Sequence, residues 1–300
     1  MNIIKLSIVF IVLFGLVSCN QNISTVQKND DTINTGTIRV SVDETLKPLM
    51  EAEFHVFEYD NRNAHLIVSY KPEREVLNDL NTDSARAIIL TRELNAEEMN
   101  YFKSIQYIPR SMPFAKDGIS VIVNKKAERD SFTTAEFKEI LTGKGDKNTI
   151  VVFDNSASST VRWLKDSLLK GGKPAKNCFA LQTNPEVIKY VSDHVNAMGI
   201  IGNSWISDLD DSTVRNTLKI IKRARIAAPG SKEYLEPYQS EIETKQYPFA
   251  RMVYCIQRDG KVGLGTGLQR FLYDEKGQLI VLRYGLMPFK QPERSIRFKE

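Results

Sequence analysis

Hydrophobic and polar positions follow regular patterns once the polar N-terminal region has ended. Residues 37–42 alternate polar and apolar side chains, which is typical of a β-strand. The next stretch has apolar residues at helical spacing, namely Leu46, Leu49, Met50, Phe54 and Phe57. Further strands are predicted over residues 65–70 and 85–90, with a short helix over 73–81 between them. This strand–helix–strand–helix–strand order predicts a parallel sheet with helices on its faces.

The alternation of strands and helices restarts with a different spacing in the middle of the chain. Three more strands are predicted, over residues 118–124, 149–153 and 199–201. Three more helices are predicted, one that starts at a capping-box-like sequence near Thr133 and two over residues 159–169 and 185–195. The change in spacing predicts two α/β domains rather than one.

The beginning of the chain has the pattern of an export signal. Residues 6–17 form an almost entirely apolar run, which is shorter than the roughly 20 residues that a transmembrane helix needs and has the length of a signal-peptide core. The run ends in Leu-Val-Ser-Cys, which resembles the lipobox of bacterial lipoproteins; an ordinary signal peptide with an incidental cysteine is the alternative. We predict a signal peptide over 1–18, an acylated Cys19 and a flexible tether over 19–35. The protein would then be lipid-anchored to a membrane on the periplasmic side of a bacterial cell envelope.

Composition and charge exclude several classes of partner. Charged residues are 26% and hydrophobic residues 42% of the 300 residues, as in an ordinary soluble globular protein. The net charge of +4, without a long basic run, does not indicate nucleic-acid binding, although it suits an anionic small ligand. The three histidines share no ligand spacing with each other or with the cysteines, so we expect neither a metal nor another cofactor. Cys178 and Cys255 are predicted to be buried free thiols; a disulfide is the alternative in an exported protein.

Five short motifs follow one another in a characteristic order. They are Lys-Asp-Gly-Ile-Ser-Val-Ile-Val-Asn at 116–124, the helix at 134–144 that ends in an Ile-x-x-Gly-Lys turn, Met-Gly-Ile-Ile-Gly at 198–202, Tyr-Pro-Phe-Ala-Arg at 247–251, and the closing segments 271–278 and 284–288. This series resembles the phosphate-binding branch of the type II periplasmic binding proteins, which serve ABC importers. The resemblance implies an α/β fold of two lobes, each a mostly parallel sheet flanked by helices, with two hinge crossings and the ligand in the cleft. It implies that residues 36–118 and 226–300 form lobe 1 and that residues 119–225 form lobe 2.

The loop over residues 154–162 matches the Ser-Gly-Thr loop that opens a helix in the second lobe of this family. A helix N-terminus has unpaired N–H groups and a partial positive charge, and nearby hydroxyls add donors, so such a loop suits a small anion. A serine-rich loop that only caps its helix is the alternative. The anion ligands expected here are Ser156, Ser158, Ser159 and Thr160.

In the family, the loops after the first and third strands supply ligand contacts from the first lobe. The corresponding residues of this chain are Thr45, Thr91 and Arg92. Arg92 is expected either to donate two parallel hydrogen bonds to the oxyanion or to form a surface salt bridge with Glu93 or Glu97.

Two acidic residues in the first of these loops bear on the choice of ligand. Asp43 and Glu44 would repel a bound oxyanion unless a proton or a cation compensated their charge. The alternative is that they are favourable first-turn acids on a helix dipole, with Asp43 as the N-cap.

Motifs for catalysis are incomplete. Residues 167–170 fit the Ser-x-x-Lys pattern of penicillin-recognising hydrolases, but its Ser-Asp-Asn and Lys-Thr-Gly partners are missing from the sequence. Residues 263–267 are glycine-rich but lack the spacing of a dinucleotide-binding loop. We therefore predict a monomeric solute-binding lipoprotein, not an enzyme, that captures a small oxyanion, with phosphate first, for an inner-membrane ABC permease. The alternative is an anion-sensing or interaction lipoprotein that keeps the fold with an altered ligand.

Overall fold

The computed structural model describes residues 31–291. The predicted signal peptide, Cys19 and the first part of the predicted tether lie outside the described residues. The strands are β1 (Thr35–Asp43), β2 (Asn63–Lys71), β3 (Ala87–Leu90), β4 (Arg110–Asn124), β5 (Ser131–Thr133), β6 (Ile150–Phe153), β7 (Cys178–Ala180), β8 (Ala197–Gly202), β9 (Ile221–Arg223), β10 (Arg225–Ala227), β11 (Tyr234–Leu235), β12 (Ala250–Gln257) and β13 (Met287–Pro288).

Helices connect most of these strands. They are α1 (Lys47–Asp60), α2 (Glu73–Asn81), α3 (Ala96–Ser104), α4 (Thr134–Leu141), α5 (Ser159–Trp163), α6 (Asn184–Asp193), α7 (Ser212–Ile220), α8 (Gln239–Glu243), α9 (Leu264–Tyr273) and α10 (Glu275–Arg283). Short 3₁₀ turns lie at Glu44–Leu46 and Asn203–Trp205, and a π-helical turn at Leu164–Leu168 continues α5. None of the helices between residues 31 and 291 combines the length and the apolar character that crossing a membrane requires.

The long strand β4 joins two groups of strands, which we call the first lobe (β1, β2, β3, β12) and the second lobe (β6, β7, β8). The strand order is β2-β1-β3-β12-β4-β8-β6-β7. The part of β4 up to Gly118 pairs with β12 and β13, and the part from Ile119 pairs with β8 and β9. Antiparallel pairs in this sheet all involve β4 or β12, whereas the outer strands pair in parallel. The predicted two-lobe α/β fold is confirmed; the residue boundaries of the lobes stay a prediction.

The local elements follow the sequence patterns closely in the first lobe. The predicted order of strands and helices over residues 37–90 is observed as β1, α1, β2, α2 and β3. The capping box near Thr133 is confirmed, because its side chain accepts from the backbone of Glu136 while the Glu136 carboxylate accepts from Thr133. The predicted helix over 159–169 is only partly regular, since α5 passes into a π-helical turn. Strands of two or three residues, such as β5, β10 and β11, were not predicted, because so short a segment has no recognisable pattern of apolar and polar positions.

Each lobe has its own hydrophobic core. The first contains buried residues of β1, α1 and α9, such as Val40, Phe57 and Leu268. The second contains buried residues of β6, α4 and α5, such as Val151 and Phe137. Cys178 and Cys255 are both free thiols, as predicted, although Cys178 is only half-buried.

Helix α1 contains a buried carboxyl group without a partner. Glu53 is fully buried, and within the part of the chain that the structure describes neither of its carboxylate oxygens has a hydrogen-bond partner. Burial raises the pKa of Glu53 well above its ordinary value of 4.5. The contribution of Glu53 to the free energy of unfolding is therefore highest below the pKa that Glu53 has in the unfolded chain. It falls as the pH rises from that value towards the raised pKa of Glu53 in the folded protein.

Glu53→Met should therefore stabilise the protein at neutral pH by about 1–3 kcal/mol, because the cost of burying an unpaired polar group disappears. The gain should shrink at about pH 4, where the carboxyl group is protonated in both states. Urea unfolding of the wild type and the variant at the two pH values measures this difference. Equal stability of the two proteins at neutral pH would contradict the assignment.

Candidate functional site

Segments from both lobes meet around one buried arginine. Arg251 lies in β12 directly opposite Asp117 in β4, because these strands pair in antiparallel register. Thr45 belongs to the 3₁₀ turn that follows β1 in the first lobe. Ser159 is the first residue of α5 in the second lobe, with Ser158 as its N-cap.

Arg251 is the centre of this arrangement, and its side chain is only 2% exposed. Its Nε and Nη2 atoms donate to Asp117 Oδ2 at 2.9 and 2.8 Å. Its Nη1 donates to Ser159 Oγ at 2.8 Å, and Nη2 donates to Thr45 Oγ1 at 2.9 Å. We call Arg251, Asp117, Thr45 and Ser159 the central network. One guanidinium thus links the two lobes through a hydroxyl of each.

Asp43 positions Thr45 within the central network. Its Oδ1 accepts from the backbone N–H of Thr45 at 3.0 Å and from Thr45 Oγ1 at 2.8 Å. Asp43 is therefore an N-cap, as one of the sequence interpretations expected. Its other oxygen, Oδ2, is buried and has no hydrogen-bond partner among residues 31–291. Burial raises the pKa of Asp43, and the charge of Arg251 opposes that rise.

The start of α5 supplies further hydroxyl groups from the second lobe. Ser158 Oγ accepts from the backbone N–H of Val161 at 3.3 Å and donates to Asp154 Oδ1 at 2.7 Å. Thr160 is fully buried, and its Oγ1 has no hydrogen-bond partner among the described residues. A buried hydroxyl group normally has a hydrogen-bond partner. The Thr160 hydroxyl is therefore available to donate a hydrogen bond to a ligand.

Carboxyl groups from both lobes face each other beside the central network. Glu44 Oε2 in the first lobe accepts from Asn184 Nδ2 at the start of α6 in the second lobe. Burial and the nearby charge of Asp154 raise the pKa of Glu44 to about 7. Burial also raises the pKa of Asp154 to about 6; the hydrogen bond from Ser158 opposes this rise. We call Asp43, Glu44, Asp154 and Asn184 the acidic seam.

A second group of charges, which we call the outer ion-pair cluster, also joins the lobes. The carboxylate of Glu73 accepts from Arg92 Nε and from Arg162 Nε, both at 2.8 Å. Arg92 makes two further bonds to Glu98, at 2.7 and 2.8 Å. Arg162 Nη2 donates to Thr91 Oγ1 at 3.3 Å. Glu73 belongs to α2 and Arg162 to α5, so this cluster contributes an ion pair across the cleft.

The residues that the sequence analysis selected fall into three places. Thr45, Ser158, Ser159 and Thr160 come together in or next to the central network. Thr91 and Arg92 lie in the outer ion-pair cluster, and Ser156 is exposed to solvent. The salt-bridge interpretation of Arg92 named Glu93 and Glu97, whereas the acidic partners are Glu73 and Glu98. The ligand roles of all seven residues stay predictions.

Sequence reasoning missed four residues of the site. Arg251, Asp117 and Asp154 were noticed only as parts of the motifs at 247–251, 116–124 and 154–162, and Asn184 was not selected at all. A signal for the first two was present, since each is a charged residue within or beside an apolar strand sequence. Their pairing depends on the register between β4 and β12, which the sequence does not give. Within residues 31–291, no group of three or more His, Cys, Asp or Glu side chains is arranged to hold a metal ion.

Residues 27–275 match the sequence profile of the PBP superfamily domain. No curated protein matches the chain by sequence.

Solved structures share the fold at low sequence identity. A candidate phosphate ABC transporter substrate-binding protein from Clostridium perfringens, with bound phosphate, superposes with a TM-score of 0.71 at 19% identity over 85% of this chain and 100% of its own. An ABC-type phosphate transport receptor from Vibrio cholerae gives 0.62 at 16% identity over 83% and 99%. The CcmR regulatory domain from Synechocystis PCC6803, in complex with 2-PG, gives 0.54 at 11% identity over 79% and 96%.

Proposed function

Because the chain belongs to the PBP superfamily, we propose that it is a solute-binding protein that captures a small oxyanion between its lobes and delivers it to an ABC importer. Phosphate is the first candidate, since the structurally similar proteins from Clostridium perfringens and Vibrio cholerae are a phosphate-bound protein and a phosphate transport receptor. The observation that carries the proposal is the convergence of Thr45 and Ser159, from different lobes, on the guanidinium of Arg251. The chain acts as a monomer and has no catalytic step.

The geometry supports capture by closure of the lobes. An oxyanion accepts hydrogen bonds, and the cleft offers hydroxyl groups from both lobes beside a guanidinium and the start of α5. A ligand that contacts both lobes stabilises the closed arrangement relative to the open one. The lobes are also held by the ion pair between Glu73 and Arg162, which needs no ligand.

Substitutions in the α5 loop test the proposal. Ser159→Ala and Thr160→Val should each weaken oxyanion binding roughly tenfold to a hundredfold, because each removes a hydrogen bond to a charged partner worth about 1.5–3 kcal/mol. Thr160→Val should leave stability unchanged or slightly raised, because the hydroxyl has no partner among the residues described.

Isothermal titration of each variant with phosphate measures the effect. Ser167→Ala, an exposed change further along the same helical segment, is the matched control and should bind as the wild type does. Wild-type affinity in both loop variants would show that this cleft does not hold the anion.

The acidic seam favours a second candidate function. Three carboxyl groups beside the anion site are unusual surroundings for an oxyanion, and the same fold occurs in the CcmR regulatory domain. An anion-sensing or interaction lipoprotein with an altered ligand would account for them. A ligand screen that returns no oxyanion would favour the interaction lipoprotein.

The membrane anchor is a further part of the proposal. We expect Cys19 to carry the lipid, so Cys19→Ser should release the protein from membranes and stop the incorporation of labelled fatty acid. Membrane fractionation with fatty-acid labelling measures both effects. A Cys19→Ser protein that still took up label and stayed with the membrane would contradict the lipobox interpretation.

A further inference from the structure

Among the described residues of the cleft, carboxyl groups outnumber the cations that are hydrogen-bonded to them. Charge interactions connect Asp43, Glu44, Asp117 and Asp154. Arg251 is hydrogen-bonded to one of these four acids, Asp117. The arginines of the outer ion-pair cluster are already paired with acidic partners of their own. An oxyanion that enters alone adds to this negative charge, whereas a ligand with its own cation compensates it.

The acidic seam also contains buried acceptors that lack donors. Within residues 31–291, Asp43 Oδ2 and Asn184 Oδ1 have no hydrogen-bond partner, and both side chains are fully buried. The amide of Asn184 lies at the seam, because its nitrogen donates to the carboxylate of Glu44. An ammonium group has three N–H donors and no acceptor, so it matches a site formed by carboxylate and amide oxygens.

We infer that the acidic seam is a subsite for the ammonium group of a small zwitterion whose oxyanion is held at Ser159, Thr160 and Arg251. This inference rests on the proposed function, since it uses the same anion site. It narrows the ligand to the class of amino-substituted phosphonates, phosphates, sulfonates or carboxylates.

The two subsites are adjacent. Asp43 Oδ1 accepts from Thr45 Oγ1, and Thr45 Oγ1 lies 3.4 Å from Ser159 Oγ and accepts from Arg251. One oxygen of the Asp43 carboxylate thus contacts Thr45 beside the anion site, and the other oxygen of the same carboxylate is unpaired among the described residues. We therefore expect a ligand with a short carbon linker between its charged groups.

Protonation supports the same assignment. The pKa of Glu44 is raised to about 7 and that of Asp154 to about 6, chiefly by burial and secondly, for Glu44, by the charge of Asp154. Protons therefore compensate part of the charge when no cation is bound. An ammonium group that replaces them should release protons on binding, and this release is measurable.

A matched pair of ligands tests the inference without any mutation. Calorimetric titration at neutral pH compares 2-aminoethylphosphonate with ethylphosphonate, which lacks only the amine. We expect the amine to tighten binding about tenfold or more. Titration in two buffers of different ionisation enthalpy should show more proton release in the wild type than in Glu44→Gln when 2-aminoethylphosphonate binds.

Variants assign the preference to the seam. Glu44→Gln should lower the ratio of the two affinities, because it removes one of the charges that pair with the ammonium group. Glu51→Gln makes the same chemical change on the exposed surface of α1 and should keep the wild-type ratio. Thermal unfolding checks that both variants are folded.

Each remaining outcome is decisive. Equal affinities of the wild type for the two phosphonates overturn the inference and leave the anion site standing. A preference that survives both Glu44→Gln and Asp154→Asn also overturns it. Failure of both phosphonates to bind a protein that binds phosphate overturns the inference and leaves the proposed function standing.

Discussion

Replacing Arg251 with alanine is expected to lower the free energy of unfolding by about 3–5 kcal/mol and to abolish anion binding. The side chain is almost fully buried, and it compensates the fully buried carboxylate of Asp117 through two hydrogen bonds. Its removal leaves that charge without a partner in the interior. The hydroxyl groups of Thr45 and Ser159 also lose the cation that orients them.

Urea unfolding at neutral pH measures the loss of stability, and calorimetry measures the loss of binding. Arg225→Ala is the control, because that side chain is 51% exposed and its ion pair with Asp130 should contribute less than about 1 kcal/mol. The double variant Arg251→Ala, Asp117→Ala should recover part of the stability, since it removes the unpaired charge. A loss in Arg251→Ala no larger than that in Arg225→Ala would show that the central network is not the structural core of the cleft.

Gly202→Ala is expected to prevent full closure of the lobes and to weaken ligand binding by about a hundredfold, the scale of an ångström-sized misplacement. Gly202 ends β8 in the second lobe, and a Cβ atom built on it would lie 2.3 Å from the backbone oxygen of Thr45 in the first lobe. The added Cβ atom is fixed to the backbone of residue 202, and the oxygen belongs to the backbone of Thr45. No side chain can rotate to relieve this contact, so the lobes must move apart. The φ angle of Gly202 is −67°, which alanine adopts without strain, so the contact alone causes the effect.

Gly260→Ala is the matched control for this substitution. A Cβ atom on Gly260 would meet nothing within 4 Å, and the residue is exposed. Binding by calorimetry and the radius of gyration by small-angle X-ray scattering, with and without ligand, should differ from the wild type only in Gly202→Ala. Wild-type affinity in Gly202→Ala would show that ligand binding does not need this approach of the lobes.

Much of the fold could be predicted because its signals are local. The alternation in β1, the helical spacing in α1 and the capping box at Thr133 each lie within a few residues of the chain. The position of three hydroxyl residues at a helix start could also be predicted, because Ser158, Ser159 and Thr160 are consecutive in the sequence.

The remainder of the site depends on contacts between residues far apart in the sequence. Arg251 meets Asp117 through strand register and meets Thr45 through the approach of two lobes, and neither is visible in a local pattern. Arg92 was selected from its position after β3, yet its donors are used by Glu73 and Glu98, which α2 and α3 bring to it. The charges of Asp43 and Glu44 could be noted in the sequence. Their meeting with Asp154 and Asn184 depends on the approach of the two lobes and could not be predicted.

Capture of an oxyanion between the lobes is tested most directly by calorimetric titration of the wild-type protein and Thr160→Val with phosphate, sulfate and small organic oxyanions, with and without an amine. The account predicts saturable one-to-one binding of at least one of these anions to the wild type, weakened roughly tenfold to a hundredfold in Thr160→Val with no loss of stability. A folded wild-type protein that binds none of them at millimolar concentration, or a Thr160→Val variant that binds as tightly as the wild type, would contradict it.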